Sequence, residues 1–261
     1  MRARKRFGQH FLSDPAVLDR IDHSLHLAPD DLLLEIGPGQ GALTALFYGR
    51  CQRYRAIEID RDLVPLLRAR YPELEVLEAD VLRVDLATHL ADGRYRVVGN
   101  LPYNISTPLL GKLFELGQQV RDLHIMLQQE VAERLAAEPG TKAYGRLSVV
   151  AQARCAVDVL FSVPPSAFTP PPAVESAVLA LHPQPAALSP AGFACLDQAL
   201  RLAFQQRRKR IANALKPLEL DWDALPIERG DRADQITVEN YLALARWLEQ
   251  RDETTGAVGL A

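Results

Sequence analysis

Asn100-Leu101-Pro102-Tyr103 sets a carboxamide, a rigid ring and an aromatic within four positions, just after the apolar run Tyr95–Val98. Those groups suit one kind of chemistry. An exocyclic amine on a base is a poor nucleophile, because its lone pair is delocalised into the ring. Two hydrogen-bond acceptors aimed at its two N–H bonds favour a pyramidal nitrogen and localise that lone pair. The Asn100 side-chain oxygen is one such acceptor. The Leu101 carbonyl is a natural second, held in place because Pro102 fixes its own φ and restricts the residue before it. Tyr103 then offers a face on which a base can stack. No group needs a shifted pKa, and positioning carries most of the catalysis. In isolation the same residues also make an ordinary proline turn with a packing tyrosine.

The neighbouring strand ends decide between those readings. "LLLEIGPGQGALT" places Gly37, Gly39 and Gly41 directly after a buried run. Glycines there let the backbone turn sharply and approach a ligand at the carboxyl edge of a sheet. Their spacing is E-x-G-x-G-x-G, not the G-x-G-x-x-G of a dinucleotide site. "AIEID" ends in Glu58 and Asp60, where an acid can accept both hydroxyls of a ribose, and "LEAD" ends in Asp80, which can accept an adenine amino proton. Each acid alone fits a surface carboxylate or a helix cap equally well. On successive strand ends beside a glycine turn, they point to an adenosine-containing cofactor.

The elements that must position these groups are legible as alternating apolar runs and helical patterns. Strands are expected at Leu32–Ile36, Tyr54–Ile59, Leu74–Ala79, Tyr95–Val98 and Leu123–Leu127. Helices are expected at Ala42–Tyr48, Leu63–Tyr71, Thr107–Leu116 and Val131–Ala137, with a leading helix opened by Ser13, Asp14 and Pro15. This alternation implies an α/β fold with a mostly parallel sheet covered by helices on both faces. After Gly145, Ala156–Val163 and Val174–Leu181 read as two paired strands joined by a long proline-rich loop. A linker spans His182 to Pro190, and Ser189-Pro190 starts a helix. Phe193, Leu196, Leu200, Phe204, Ile211 and Leu215 continue at helical spacing, and Thr237 opens a further helix. The expected organisation is a first domain at 1–185 and a small all-α domain at 186–261 with a loose tail from Arg251.

Composition sets outer bounds. The net charge of the 261 residues is only −3, but two stretches carry basic residues and no acid: residues 1–13, with Arg4, Lys5 and Arg6, and Gln198–Leu218, with Arg207, Arg208, Lys209 and Arg210. Such patches on a mildly acidic chain suit a polyanion contacted at defined places. The three cysteines are scattered and in no metal-ligand spacing, and no apolar run is long enough for a membrane span. The expectation is a cytoplasmic, monomeric protein with no metal and no membrane contact.

In combination, "EIGPGQGALT", "IEID", "AD" and "GNLPYNIS" resemble the ordered motifs of S-adenosylmethionine-dependent amino-methyltransferases. The flanks "RKRFGQHFL", "YGRLSV", "VPPSAFTPPPAVESAV" and "QQRRKRIANAL" narrow the resemblance to the small-subunit ribosomal RNA adenine dimethyltransferase family, over nearly the whole chain to about residue 250. The resemblance implies a Rossmann-like methyltransferase sheet with a C-terminal helical rRNA-binding domain. It implies dimethylation of two adjacent adenosines near the 3′ end of 16S rRNA within an assembling small ribosomal subunit. S-adenosylmethionine would be the cofactor and S-adenosylhomocysteine the product. On this reading His10 and Leu12 line the cofactor mouth, Gly37 and Gly39 pass close to the cofactor, Glu58 holds its ribose and Asp80 its adenine. Asn100 touches both cofactor and target, and Phe168 stacks on the target adenine opposite Tyr103. Of Arg207–Arg210, expected on a helix, part would face rRNA phosphates and part would pack against the first domain.

Two departures stand out. Many members carry asparagine where this chain has His10, and a basic-then-acidic pair where it has Ala173 and Glu175. The nearest alternative is a large-subunit (23S) rRNA methyltransferase of the macrolide-resistance type, against which "FTPPPAVES" and the arginine-rich segment speak. A non-catalytic rRNA-binding assembly factor would not need Asn100, Tyr103, Glu58 and Asp80 intact. A nicotinamide dehydrogenase is disfavoured by the glycine spacing.

Overall fold

A computed structural model describes residues 10–258. The basic residues Arg4, Lys5 and Arg6 lie outside the described residues. The chain forms two compact units, one of residues 1–132 and 156–183 and one of 133–155 and 184–261.

The first unit opens with a two-residue strand, β1 (Phe11–Leu12), and helix α1 (Pro15–Leu25). Asp14 rather than Ser13 caps that helix, accepting from the Ala16 and Val17 amides, while Pro15 takes the first turn. The chain then alternates: β2 (Leu32–Ile36), α2 (Ala42–Phe47), β3 (Arg53–Glu58), α3 (Val64–Arg70), β4 (Glu75–Glu78), α4 (Leu86–His89), β5 (Tyr95–Asn100), α5 (Ser106–Glu115), β6 (Val120–Gln128) and α6 (Gln129–Ala136). After α7 (Arg146–Gln152) come β7 (Cys155–Val163), the two-residue β8 (Phe168–Thr169) and β9 (Ser176–Pro183). One seven-stranded sheet has the order β4-β3-β2-β5-β6-β9-β7, and β1 pairs β8 in a separate two-stranded sheet.

Neighbouring strands from β4 through β6 are parallel, whereas β9 runs antiparallel to β6. From β2 the chain steps outward through β3 to β4, then returns to the other side of β2 as β5 and β6. Right-handed crossovers in opposite directions put their helices on opposite faces of the sheet, as expected from the alternation. They also leave a crevice beyond the carboxyl ends of β2 and β5, where the order reverses. Gly37 and Asn100 stand at those two ends. At the opposite end of β5, the Arg96 guanidinium pairs with Asp122 at 2.8 Å and Asp31 at 3.0 Å, all three side chains buried. That network braces the sheet away from the crevice.

The second unit holds α7, α8 (Pro190–Gln205), α9 (Ile211–Ala214) and α10 (Val238–Val258). Ser189 caps α8 as expected, accepting from Gly192 N, and the Thr237 hydroxyl accepts from Asn240 N. Residues 133–155, which the sequence places in the first domain, belong here because Ala137, Tyr144, Val149 and Ala153 share a core with Leu196, Leu200 and Tyr241. Tyr144 is fully buried, with its hydroxyl donating to the Ile236 carbonyl at 2.9 Å. The tail expected to be loose from Arg251 instead continues helix α10 to Val258.

Candidate active site

The crevice is built from loops that the sheet delivers to one edge. Gly37 (φ +68°), Gly39 (φ +58°) and Gly41 (φ +83°) all adopt the left-handed conformation that other residues take up only under strain. A side chain on Gly39 would meet the Phe11 ring at 3.1 Å, while one on Gly37 would project into open space within the crevice. The glycine turn therefore presents bare backbone to whatever occupies that space.

Glu58 closes the end of β3. Its Oε2 accepts from Gly39 N at 2.9 Å and its Oε1 from Asp60 N at 2.8 Å. Burial pushes this carboxyl above the usual carboxylate range, opposed by those two backbone donors. Each oxygen keeps a further lone pair for a diol. Asp80 accepts Leu82 N on its Oδ1 at 3.0 Å, a turn braced from α5 by the Lys112 ammonium on the Leu82 and Val84 carbonyls. Ile59, between the two acids, is 46% exposed on the crevice wall and offers an apolar surface to a planar ring. A bare glycine cradle, a diol acceptor, an apolar patch and a second acid together fit an adenosine-bearing ligand.

The fourth strand end supplies the target side. Asn100 Nδ2 donates to the His10 carbonyl at 2.9 Å. A carbonyl can only accept, so the amide nitrogen must face it and the Oδ1 is left to the crevice. Leu101 is buried and anchored by its own N–H to the Met126 carbonyl at 3.1 Å, and no hydrogen bond among the described residues uses its carbonyl. Tyr103 is held by its hydroxyl on Ser176 Oγ at 2.8 Å, and burial raises that hydroxyl above the ordinary phenol value. Gly99, just before Asn100, has no room for a side chain: a Cβ would lie 2.7 Å from the Ile36 carbonyl oxygen.

His10, Leu12, Gly37, Gly39, Glu58, Asp80 and Asn100–Tyr103 therefore line one crevice. One expectation differs from the geometry. Phe168 is not on its wall: it is 3% exposed, paired with Leu12 across the β1–β8 ribbon, and packed in the core with Val17, Val163 and Val178. Within that lining the His10 ring stacks on Tyr103, its centroid 5.9 Å away and 24° from parallel, with Nδ1 on the Pro170 carbonyl at 2.8 Å.

The basic run differs from expectation too. Helix α8 ends at Gln205 and the chain turns through 206–210 before α9. Arg207 folds back, its Nε 3.2 Å from Asp234 Oδ2 and its Nη2 donating to both the Thr141 and Lys142 carbonyls. Arg208, Lys209 and Arg210 are exposed.

Glu35, the glutamate of the E-x-G-x-G-x-G motif, has no role assigned by the sequence. It lies within β2, 1% exposed, with its Oε2 accepting from the hydroxyls of Thr44 and Tyr54, each at 2.6 Å. An acid inside an otherwise apolar strand was the signal.

A protein-family model described as "Ribosomal RNA adenine dimethylase" matches residues 1–250. The chain belongs to that family. A ribosomal RNA small subunit methyltransferase A from Bordetella pertussis is 48% identical, covering 99% of this chain and 97% of its own. One from Methylibium petroleiphilum is 49% identical, covering 93% and 95%. Among solved structures, a dimethyladenosine transferase from Plasmodium falciparum aligns with a TM-score of 0.79 at 26% identity, over 93% of this chain and 98% of its own. The 23S rRNA methyltransferase ErmE aligns at 0.72 with 26% identity, over 92% and 100%. No helix among the described residues is long and apolar enough to cross a membrane, and no side-chain cluster among them suits a metal ion.

Proposed function

We propose that this family member transfers methyl groups from S-adenosylmethionine to the N6 amino groups of two adjacent adenosines near the 3′ end of small-subunit (16S) rRNA. The products are N6,N6-dimethyladenosines, made in the cytoplasm by a monomer acting on an assembling small subunit. The relatives' printed names favour the small subunit, and the residues themselves favour the amine. The observation that carries the reading is the Asn100 carboxamide, oriented by the His10 carbonyl so that its oxygen faces the crevice.

When bound, the cofactor supplies an electrophilic methyl group. Glu58 would accept its ribose hydroxyls, Asp80 its adenine amine, and the bare backbone at Gly37 and Gly39 would allow its amino-acid portion to approach. Asn100 Oδ1 and the Leu101 carbonyl would accept the two N–H bonds of the target amine, localising its lone pair toward the incoming methyl. Pro102 braces that carbonyl, and Tyr103 carries the base. The proton leaves the alkylated nitrogen after transfer, so no side chain has to act as a strong base. Phe168 joins this site only where the β1–β8 ribbon uncovers it.

The test is to incubate the protein with labelled S-adenosylmethionine and undermethylated small subunits, and separately with large subunits, and to identify the modified nucleosides by mass spectrometry. Dimethyladenosine at adjacent small-subunit positions is expected. Label confined to large-subunit RNA, or RNA binding without label, would overturn the proposal.

A further inference from the structure

Residues 10–12 run along the crevice as a strap, with His10 against Asn100 and Tyr103. Three bonds converge on that one residue. Its carbonyl holds Asn100 Nδ2, its Nδ1–H donates to the Pro170 carbonyl, and its ring lies against the Tyr103 face. The next residues of the strap are pinned by β pairing, Phe11 to Thr169 and Leu12 to Phe168.

The ring contact bears directly on the target. A base sandwiched between two rings needs their planes about 6.8 Å apart, twice the stacking distance of about 3.4 Å, whereas the His10 and Tyr103 centroids are 5.9 Å apart and their planes no further than that. No base fits between them as they stand. The imidazole is itself a flat, nitrogen-bearing aromatic ring on the face a target adenine needs.

We propose that the His10 imidazole is a place-holder for the target adenine, covering Tyr103 in the RNA-free enzyme and leaving when a base enters. The inference rests on the reading of Tyr103 as the base's platform. Magnitudes allow the exchange: an aromatic pair is worth roughly 2- to 13-fold, and a base stacked on an aromatic ring about 5- to 150-fold. A flipped adenine can displace the imidazole, while the Tyr103 face stays covered in its absence. Only the side chain has to move: the His10 carbonyl stays on Asn100 Nδ2, and Phe11 and Leu12 stay paired with Thr169 and Phe168.

The test is steady-state methylation of undermethylated small subunits by His10→Ala, which keeps the backbone carbonyl that holds Asn100. A place-holder taxes substrate affinity by the fraction of closed sites, so its removal should lower the KM for subunits roughly threefold to tenfold. A ring lost from a merely structural position cannot produce such a gain. His10→Asn, ringless but polar, should behave alike, while His10→Phe, which keeps a ring, should show a KM no lower than the wild type. An unchanged or raised KM in both ringless variants overturns the proposal. So does a raised KM with weakened binding of S-adenosylhomocysteine by calorimetry, which would place His10 on the cofactor wall. Wild-type protein that labels no small-subunit adenosine would instead overturn the proposed function, so the two failures are distinct.

Discussion

Asn100 is bound at its nitrogen by the His10 carbonyl, and the chemistry of a carbonyl leaves no choice about which end of the amide faces the crevice. Replacing it with alanine removes one acceptor from the target amine without touching Glu58, Asp80 or the glycine turn. Preorganised groups of this kind contribute roughly 10²- to 10³-fold to rate. Asn100→Ala should therefore lose about that factor in kcat while calorimetry still detects S-adenosylhomocysteine and filter binding still detects subunits. Near-wild-type methylation by this variant would refute the acceptor mechanism. Residues of this loop were legible in the sequence because their work is local: Pro102 restrains Leu101, and Asn100 ends its own strand. The His10 ring and Phe168 were not, because what they touch depends on β1 meeting β8 from far along the chain. Two-residue strands carry no periodicity to announce that pairing.

At the scale of elements, the glycine turn is held by what lies beneath it. Helix α2 begins at a left-handed Gly41 that offers no side-chain cap, so its first turn is fixed instead by Thr44 on Glu35, with Tyr54 of β3 on the same oxygen. Burial pushes the Glu35 carboxyl from an ordinary 4.5 to about 7, against the pull of the Thr44 and Tyr54 hydrogen bonds. Between those values the folded protein keeps a proton that the unfolded chain releases. Stability therefore falls as pH rises from about 4.5 to 7, by on the order of 3 kcal/mol, and then stays level with respect to this group. Glu35→Gln keeps an acceptor and abolishes the charge. It should match the wild type in urea midpoint below about pH 4.5 and exceed it by about that energy at pH 8. A difference that does not change with pH would mean that Glu35 is ionised in the folded protein. The order and type of these strands and helices were readable from apolar periodicity. Helix α7 was not, and its assignment to the second unit follows from Tyr144 burying against a distant core rather than from any local signal.

Across the whole molecule, the net charge of −3 opposes rather than draws RNA, so local basic segments have to supply the attraction. The run at 207–210 divides into two roles that the sequence did not assign to particular residues. Arg207 is spent inside the second unit on Asp234 and two carbonyls, so Arg207→Ala should loosen that unit rather than change an RNA contact. Arg208, Lys209 and Arg210 stand exposed on a turn, where successive side chains point in different directions and can meet phosphates of a folded RNA. Each phosphate neutralised releases condensed counterion and contributes about 0.7 to 0.9 to the slope of log affinity against log salt. Reversing all three to glutamate should weaken binding of undermethylated small subunits and make that slope shallower by roughly 2 to 3. The kcat at saturating subunits should hold, because these residues orient the RNA and take no part in aligning the amine. Equal affinity and an equal salt slope in the reversed variant would make this turn a solvated face and leave the attraction to other basic groups.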